Sequence, residues 1–151
     1  MAIEAMKIYL DNCALQRPLD DKSQTRIRLE AEAILSVLEL CKVGELELIS
    51  SEALELEIEK NPLATRRNYA ESALESAYSH IMLDDSIELR AHEFLSLGIK
   101  PLDALHLACA EAAKTDYFCT CDERFLRRAK TIDGLKIVVM TPLELIEELD
   151  L

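Results

Sequence analysis

Carboxylates recur in this chain where they could share one task. Asp11 ends the short apolar stretch Lys7-Ile8-Tyr9-Leu10, and Asn12 follows it. Asp122 and Glu123 follow a second such stretch, Tyr117-Phe118-Cys119-Thr120. Asp103 lies in the first turn of a helical pattern that opens at Pro101, and Glu52, Glu55, Glu57 and Glu59 lie in the helical pattern after Leu46–Ile49. Carboxylates drawn together repel, and each is pushed to protonate unless a cation neutralises the group. Hard divalent ions prefer oxygen ligands, and magnesium keeps several of its waters. An ion held in this way orients water and stabilises charge on a phosphoryl oxygen. The chemistry open to these acids is therefore metal-dependent phosphodiester hydrolysis, with Asp11 as the anchor. Each acid alone has a plainer role: Asp11 and Asp122 suit helix caps or turns, and Asp103 suits a helix dipole. Their conjunction is what points to a site.

Other chemistries find little support. No serine sits in a nucleophile elbow, no glycine-rich phosphate loop occurs, and the chain has only three glycines. The five cysteines, Cys13, Cys41, Cys109, Cys119 and Cys121, are odd in number and scattered, which argues against a disulfide framework. Cys119-Thr120-Cys121 has no second Cys or His pair to complete a zinc site, so the cysteines read as buried intracellular thiols. His106 lies three residues after Asp103 among apolar neighbours, and a hydrogen-bonded structural histidine is the expectation there.

A length of 151 residues suggests one domain over 1–151 with a real core, and 50% hydrophobic but 5% aromatic residues make that core aliphatic. No apolar run approaches the roughly 20 residues of a membrane span, and the N-terminus does not read as a secretory signal. Met6 is an alternative start, which would make residues 1–5 an extension. The net charge of −12 is awkward for a protein that holds nucleic acid through phosphates alone. A metal can supply the positive charge locally; otherwise a basic protein is the natural partner.

The elements that must position the acids follow from the apolar spacing. Strands are expected at Met6–Leu10, Glu45–Ile49, His80–Leu83, Tyr117–Thr120 and Leu135–Met140. Helices are expected from Ser23 to about Val43, from a cap at Ser50 or Ser51 to about Lys60, over Ala64–Ser79, over Asp84–Leu97 with Asp84, Asp85 or Ser86 as cap, from Pro101 to about Lys114, over Asp122–Lys130, and over Leu143–Leu149 after Thr141-Pro142. Pro18 and Asp20-Asp21 mark a loop or a short turn over Leu15–Asp21. Such alternation predicts an α/β fold with a parallel sheet covered on both faces. Ligands in such sheets bind beyond the carboxyl ends of the strands, which is where the acids lie.

Three stretches resemble the PIN domain family, in particular the toxin ribonucleases of VapC type. Ile8-Tyr9-Leu10-Asp11-Asn12-Cys13 is similar to the family's opening strand and aspartate. Leu102-Asp103-Ala104-Leu105-His106-Leu107-Ala108-Cys109-Ala110 resembles its helix with D-A-hydrophobic-H-hydrophobic-A-x-A. Phe118-Cys119-Thr120-Cys121-Asp122-Glu123-Arg124-Phe125-Leu126 resembles its strand and turn with T-x-D-x-x-F/L. The resemblance implies a three-layer α/β/α sandwich with a central parallel sheet of four to five strands. It implies four acids that bind Mg²⁺ or Mn²⁺ and an endoribonuclease that cuts RNA by metal-activated water. Asp11, Asp103 and Asp122 map directly. For the fourth acid the family's spacing favours Glu57, which shares a helix face with Leu54, and Glu55 is the second choice.

Thr120 and Asn12 are secondary site candidates. Phosphate contacts are sought among Arg17, Arg26, Arg28, Arg66, Arg67, Arg124, Arg127 and Arg128, with Arg17 and Arg124 named first. The resemblance further implies a homodimer, an antitoxin partner and a cytoplasmic location. The competing reading is a PIN-like module with little or no activity that acts by binding a basic protein, which the charge of −12 favours. A phosphoacceptor receiver domain ranks below both, because Lys136 lies at the wrong end of the last strand.

Overall fold

Five strands and eight helices alternate along residues 5–151, which the computed structural model describes. The extension read over residues 1–5 lies outside these residues, Ala5 excepted. The order is β1 (Lys7–Leu10), α1 (Asn12–Leu15), a 3-10 turn at Arg17–Leu19, α2 (Thr25–Lys42), β2 (Glu47–Ser51), α3 (Glu52–Glu59), α4 (Ala64–Leu74), β3 (Ser79–Ile81), α5 (Asp85–Ser96), α6 (Pro101–Ala112), β4 (Tyr117–Cys119), α7 (Glu123–Lys130), β5 (Val138–Met140) and α8 (Pro142–Glu148). Among the described residues no helix is long and apolar enough to cross a membrane.

The strands form one sheet in the order β3-β2-β1-β4-β5, and every pairing is parallel. Central β1 pairs Ile8 with Leu48 on one side and with Tyr117 on the other. From β1 the chain first builds outward through β2 and β3, then returns to add β4 and β5 on the opposite side. The reversal leaves a crevice beyond the carboxyl ends of β1 and β4, the place where open α/β sheets bind ligands. Helix α2 packs with α8, while α3 and α5 pack on α6, which gives the three-layer α/β/α sandwich.

The core is mainly aliphatic, with a short aromatic file at its centre. Tyr9 stacks on Phe118 at 5.0 Å between ring centroids, and Phe118 meets Phe125 edge-on at 5.6 Å. Tyr9 and Phe118 are fully buried. Burial of one such side chain stabilises the fold by about 1.5–3 kcal/mol. The file joins β1, β4 and α7, so the segments that carry Asp11 and Asp122 are held by the same packing.

Most bounds move by one or two residues, and three elements depart further from the sequence reading. The segment 12–15, just before the expected loop, forms α1, which is too short to show a helical period but has a clear cap in Asp11. Helix α4 stops at Leu74 rather than Ser79, because the chain must turn so that Tyr78 N can donate to Leu48 O at 2.8 Å and begin β3. The last strand covers only Val138–Met140 of the 135–140 stretch. It is an edge strand whose sole neighbour, β4, has three residues, and Lys136 N donates instead to Glu111 Oε2 at 3.0 Å.

Candidate functional site

Asp11 is 4% exposed and caps α1. Its Oδ1 accepts from Ala14 N at 3.0 Å and from Cys13 Sγ at 3.1 Å. Burial above all pushes this carboxyl well above the usual range, with the Thr120 hydroxyl and the Ala14 amide opposing. Thr120 is fully buried, and its Oγ1 accepts from Asp122 N at 3.1 Å. The threonine thus stands between the loop after β1 and the loop after β4.

Asp122 is exposed and caps α7, with Oδ1 accepting from Arg124 N at 3.0 Å and Phe125 N at 3.1 Å. The plain capping roles are therefore real for both aspartates, and they engage one oxygen of each. Asp103 is half-buried in the first turn of α6. Burial raises its pKa most, Asp122 and Glu57 raise it further, and His106 and Lys100 oppose them. Asp103 and Asp122 also share the wall of a cavity of about 130 Å³, together with Lys100, Arg124 and Arg128.

Glu57 is held from inside the protein. Its Oε1 lies 2.9 Å from His106 Nε2, His106 Nδ1 lies 2.6 Å from Tyr9 OH, and Tyr9 OH lies 2.7 Å from Ser51 Oγ. Ser51 Oγ accepts from Leu54 N at 3.1 Å as the cap of α3. One proton arrangement satisfies the whole chain with a neutral imidazole. Ser51 donates to Tyr9, Tyr9 donates to Nδ1, and the Nε2–H donates to the carboxylate, which can only accept. His106 is 1% exposed, and its geometry is that of a positioning residue.

The remaining candidates separate clearly. Glu55 is exposed and lies 3.5 Å from His80 Nε2, on the rim of a larger cavity of about 590 Å³ against β3 that contains none of the three aspartates. Asn12 Oδ1 accepts from Gln16 Nε2 at 2.8 Å. Arg17 is paired with Asp20 at 2.8 Å and with buried Glu30 at 3.2 Å, so its charge is already spent within the protein. Arg124 carries no ion pair among the described residues and faces the acids. The sequence reading passed over Tyr9, Ser51 and Lys100. Only the Tyr9 hydroxyl on an otherwise apolar strand signals the relay in the sequence. The thiols are buried except Cys13, which is exposed and touches Asp11, correcting the expectation for that residue. No thiol is in a disulfide, and burial pushes Cys41 to about 12 and Cys109 to about 11, far from reactive thiolates.

Among the described residues no three His, Cys, Asp or Glu side chains stand together as a ready set of metal ligands. The donors are nonetheless the hard oxygens that Mg²⁺ or Mn²⁺ takes, and the Asp103 carboxyl is raised first by burial and then by its acidic neighbours Asp122 and Glu57. Carboxylates within electrostatic reach but not converged suit an ion that retains most of its waters and takes one or two side chains directly.

A PIN domain family model matches residues 8–131. Two solved structures superpose on most of the chain. "VapBC2 from Rickettsia felis bound to a DNA fragment from their promoter" aligns with a TM-score of 0.62 and 14% identity, covering 90% of this chain and 98% of that one. "FitAcB from Neisseria gonorrhoeae" aligns with a TM-score of 0.58 and 16% identity over the same shares. At these identities the likeness is one of fold. None of the curated proteins matches.

Proposed function

Because the chain belongs to the PIN domain family, we propose that it is a metal-dependent endoribonuclease and the toxin of a toxin–antitoxin pair. The observation that carries the reading is the shared cavity wall of Asp103 and Asp122, beyond the same sheet end as Asp11. Asp11, Glu57, Asp103 and Asp122 would hold Mg²⁺ or Mn²⁺, directly or through water. When bound, the ion supplies an activated water and stabilises charge on the phosphoryl oxygen. His106 and Tyr9 orient Glu57, Thr120 steadies the Asp11 and Asp122 loops, and Asn12 braces α1 through Gln16. Arg124 is the cation best placed to meet a phosphate; Arg17 is the weaker candidate because of its ion pairs. One PIN unit over 1–151, a homodimer, an antitoxin partner and a cytoplasmic location belong to the same proposal. The VapBC and FitAB folds support the antitoxin.

The test is cleavage of a mixed RNA pool with and without Mn²⁺, by wild type and by Asp11→Asn. Metal-dependent cleavage that Asp11→Asn abolishes without unfolding is the expected result. Cleavage retained by a clean preparation of the variant would overturn the assignment. A second reading, a binding module for a basic protein, is favoured by the net charge of −12 and by the absence of a ready ligand trio among the described residues. It prevails if millimolar Mn²⁺ neither raises the melting temperature nor supports cleavage.

A further inference from the structure

An acidic protein that handles RNA needs a local source of positive charge, and one helix stands out. Helix α7 carries Arg124, Arg127, Arg128 and Lys130 against a single acid, Glu123. Glu123 is engaged by Arg26, and Lys130 by Glu144. Arg124, Arg127 and Arg128 have no ion-pair partner among the described residues, and all three are exposed. They line one cavity of about 320 Å³, and Arg124 and Arg128 also line the adjoining cavity that contains Asp103 and Asp122. The cationic surface is therefore continuous with the acidic one.

The arrangement is unfavourable for the free helix. Like charges three and four residues apart repel across one helix face. The negative end of the helix dipole accounts for Arg127 and Arg128 in the last turn but not for Arg124 near the positive end. Packing holds one of the three in place. A Cβ at Gly98 would sit 3.4 Å from the Arg128 guanidinium carbon, and Gly98, at φ +92°, offers only backbone there. The guanidinium lies against the turn after α5 with its charge uncompensated.

We infer that Arg124, Arg127 and Arg128 form a phosphate track that carries the backbone of a single-stranded RNA out of the acid-lined cavity along α7. The inference rests on the nuclease reading for its substrate, but its test does not require cleavage. Guanidinium groups suit phosphate oxygens because they donate in a planar fork. Phosphates neutralised by arginine release counterions, with a slope of log K against log salt of about 0.7 per contact on single strands.

The experiment is titration of the wild-type protein, in EDTA, with a labelled cleavage-resistant 2′-O-methyl oligoribonucleotide across a salt series. Arg127→Ala/Arg128→Ala should lower the slope by about 0.7 per arginine removed. Arg127→Lys/Arg128→Lys should keep it, as should Lys42→Ala, which removes one exposed cation on α2. An unchanged slope in the double alanine variant overturns the track. So does an equal drop in Lys42→Ala, which would make the effect one of net charge, or competition by polyglutamate as strong as by RNA. If the slope falls as expected but no RNA pool is cleaved with Mn²⁺, the nuclease reading fails and the track stands. If cleavage occurs with the slope unmoved, the reverse holds.

Discussion

His106 Nε2 on α6 lies 2.9 Å from Glu57 Oε1 on α3, at a sequence separation of 49 residues. The other ring nitrogen, Nδ1, lies 2.6 Å from Tyr9 OH, so a β1 side chain sets the orientation of a carboxylate on α3. Tyr9→Phe keeps the packing on Phe118 and removes only the hydroxyl. It leaves Ser51 Oγ and His106 Nδ1 buried without that partner, which costs about 1–3 kcal/mol. Urea denaturation should show the loss, and a variant as stable as wild type would mean that the relay carries no structural weight.

Glu57 and Glu55 differ in what they face. Glu57→Gln should abolish metal-dependent RNA cleavage with little change in stability, whereas Glu55→Gln should cleave as wild type does. Glu55 points to His80 and the cavity against β3, away from the aspartates. Loss of cleavage in Glu55→Gln with activity kept in Glu57→Gln would reverse the assignment of the fourth acid.

Asp11 is buried, and burial raises its pKa well above the ordinary 3.8. A carboxyl raised in the folded state contributes stability that is fully present below its unfolded value and is lost as pH rises through its folded value. Asparagine caps helices about as well as aspartate and does not ionise. In EDTA, Asp11→Asn should therefore be more stable than wild type at neutral pH, and the gap should close as pH falls into the ordinary carboxylate range. Denaturation curves across pH that show wild type more stable at neutral pH would contradict this.

Divalent ions should stabilise the wild-type protein. Binding to the folded state alone stabilises by about 2.7 kcal/mol at a hundredfold excess over Kd. Millimolar Mn²⁺ should raise the melting temperature of wild type, and raise it less in Asp103→Asn, whose carboxyl lies beside Asp122 and Glu57. Equal shifts in both proteins would place the ion elsewhere.

Away from the site, Arg90 joins α5 to α6. Its Nε lies 2.6 Å from Glu111 Oε1 and its Nη1 2.6 Å from Glu93, and its guanidinium carbon stands 4.4 Å over the Phe94 ring. Arg90→Ala would leave Glu111, whose side chain is 7% exposed, with the Lys136 amide but no cation beside it. Breaking a fully buried pair costs about 3–5 kcal/mol, and the partial exposure of Arg90 reduces this to about 2 kcal/mol. The variant should melt earlier yet cleave RNA normally below its transition; lost cleavage in the folded variant would link this pair to the site.

Much of the architecture was legible because parallel strands buried on both faces read as short apolar runs. Ile8–Leu10 and Tyr117–Thr120 announced themselves in this way; Thr141 marked a helix start that the structure keeps, and the structure selects Ser51 over Ser50 and Asp84 over Asp85 and Ser86 as caps. The short β5 was not legible. Its length depends on β4 beside it and on Glu111 capturing the Lys136 amide, and neither is local. Helix α1 escaped because four residues do not make a period.

By itself the amino-acid sequence determined the alternation of strands and helices, the caps, and the placing of Asp11 and Asp122 just beyond strand ends and of Asp103 in a first helical turn. These depend on neighbours a few residues away, through backbone sterics, capping and apolar period. The tertiary structure alone decided the strand order 3-2-1-4-5 that sets the loops after β1 and β4 side by side. It also decided that Glu57 rather than Glu55 reaches His106, and that Arg17 is tied to Glu30 while Arg124, Arg127 and Arg128 keep their charge. Partners far apart in the chain meet only when the core closes, so whether a carboxylate is coupled or an arginine is free is a property of the packed molecule.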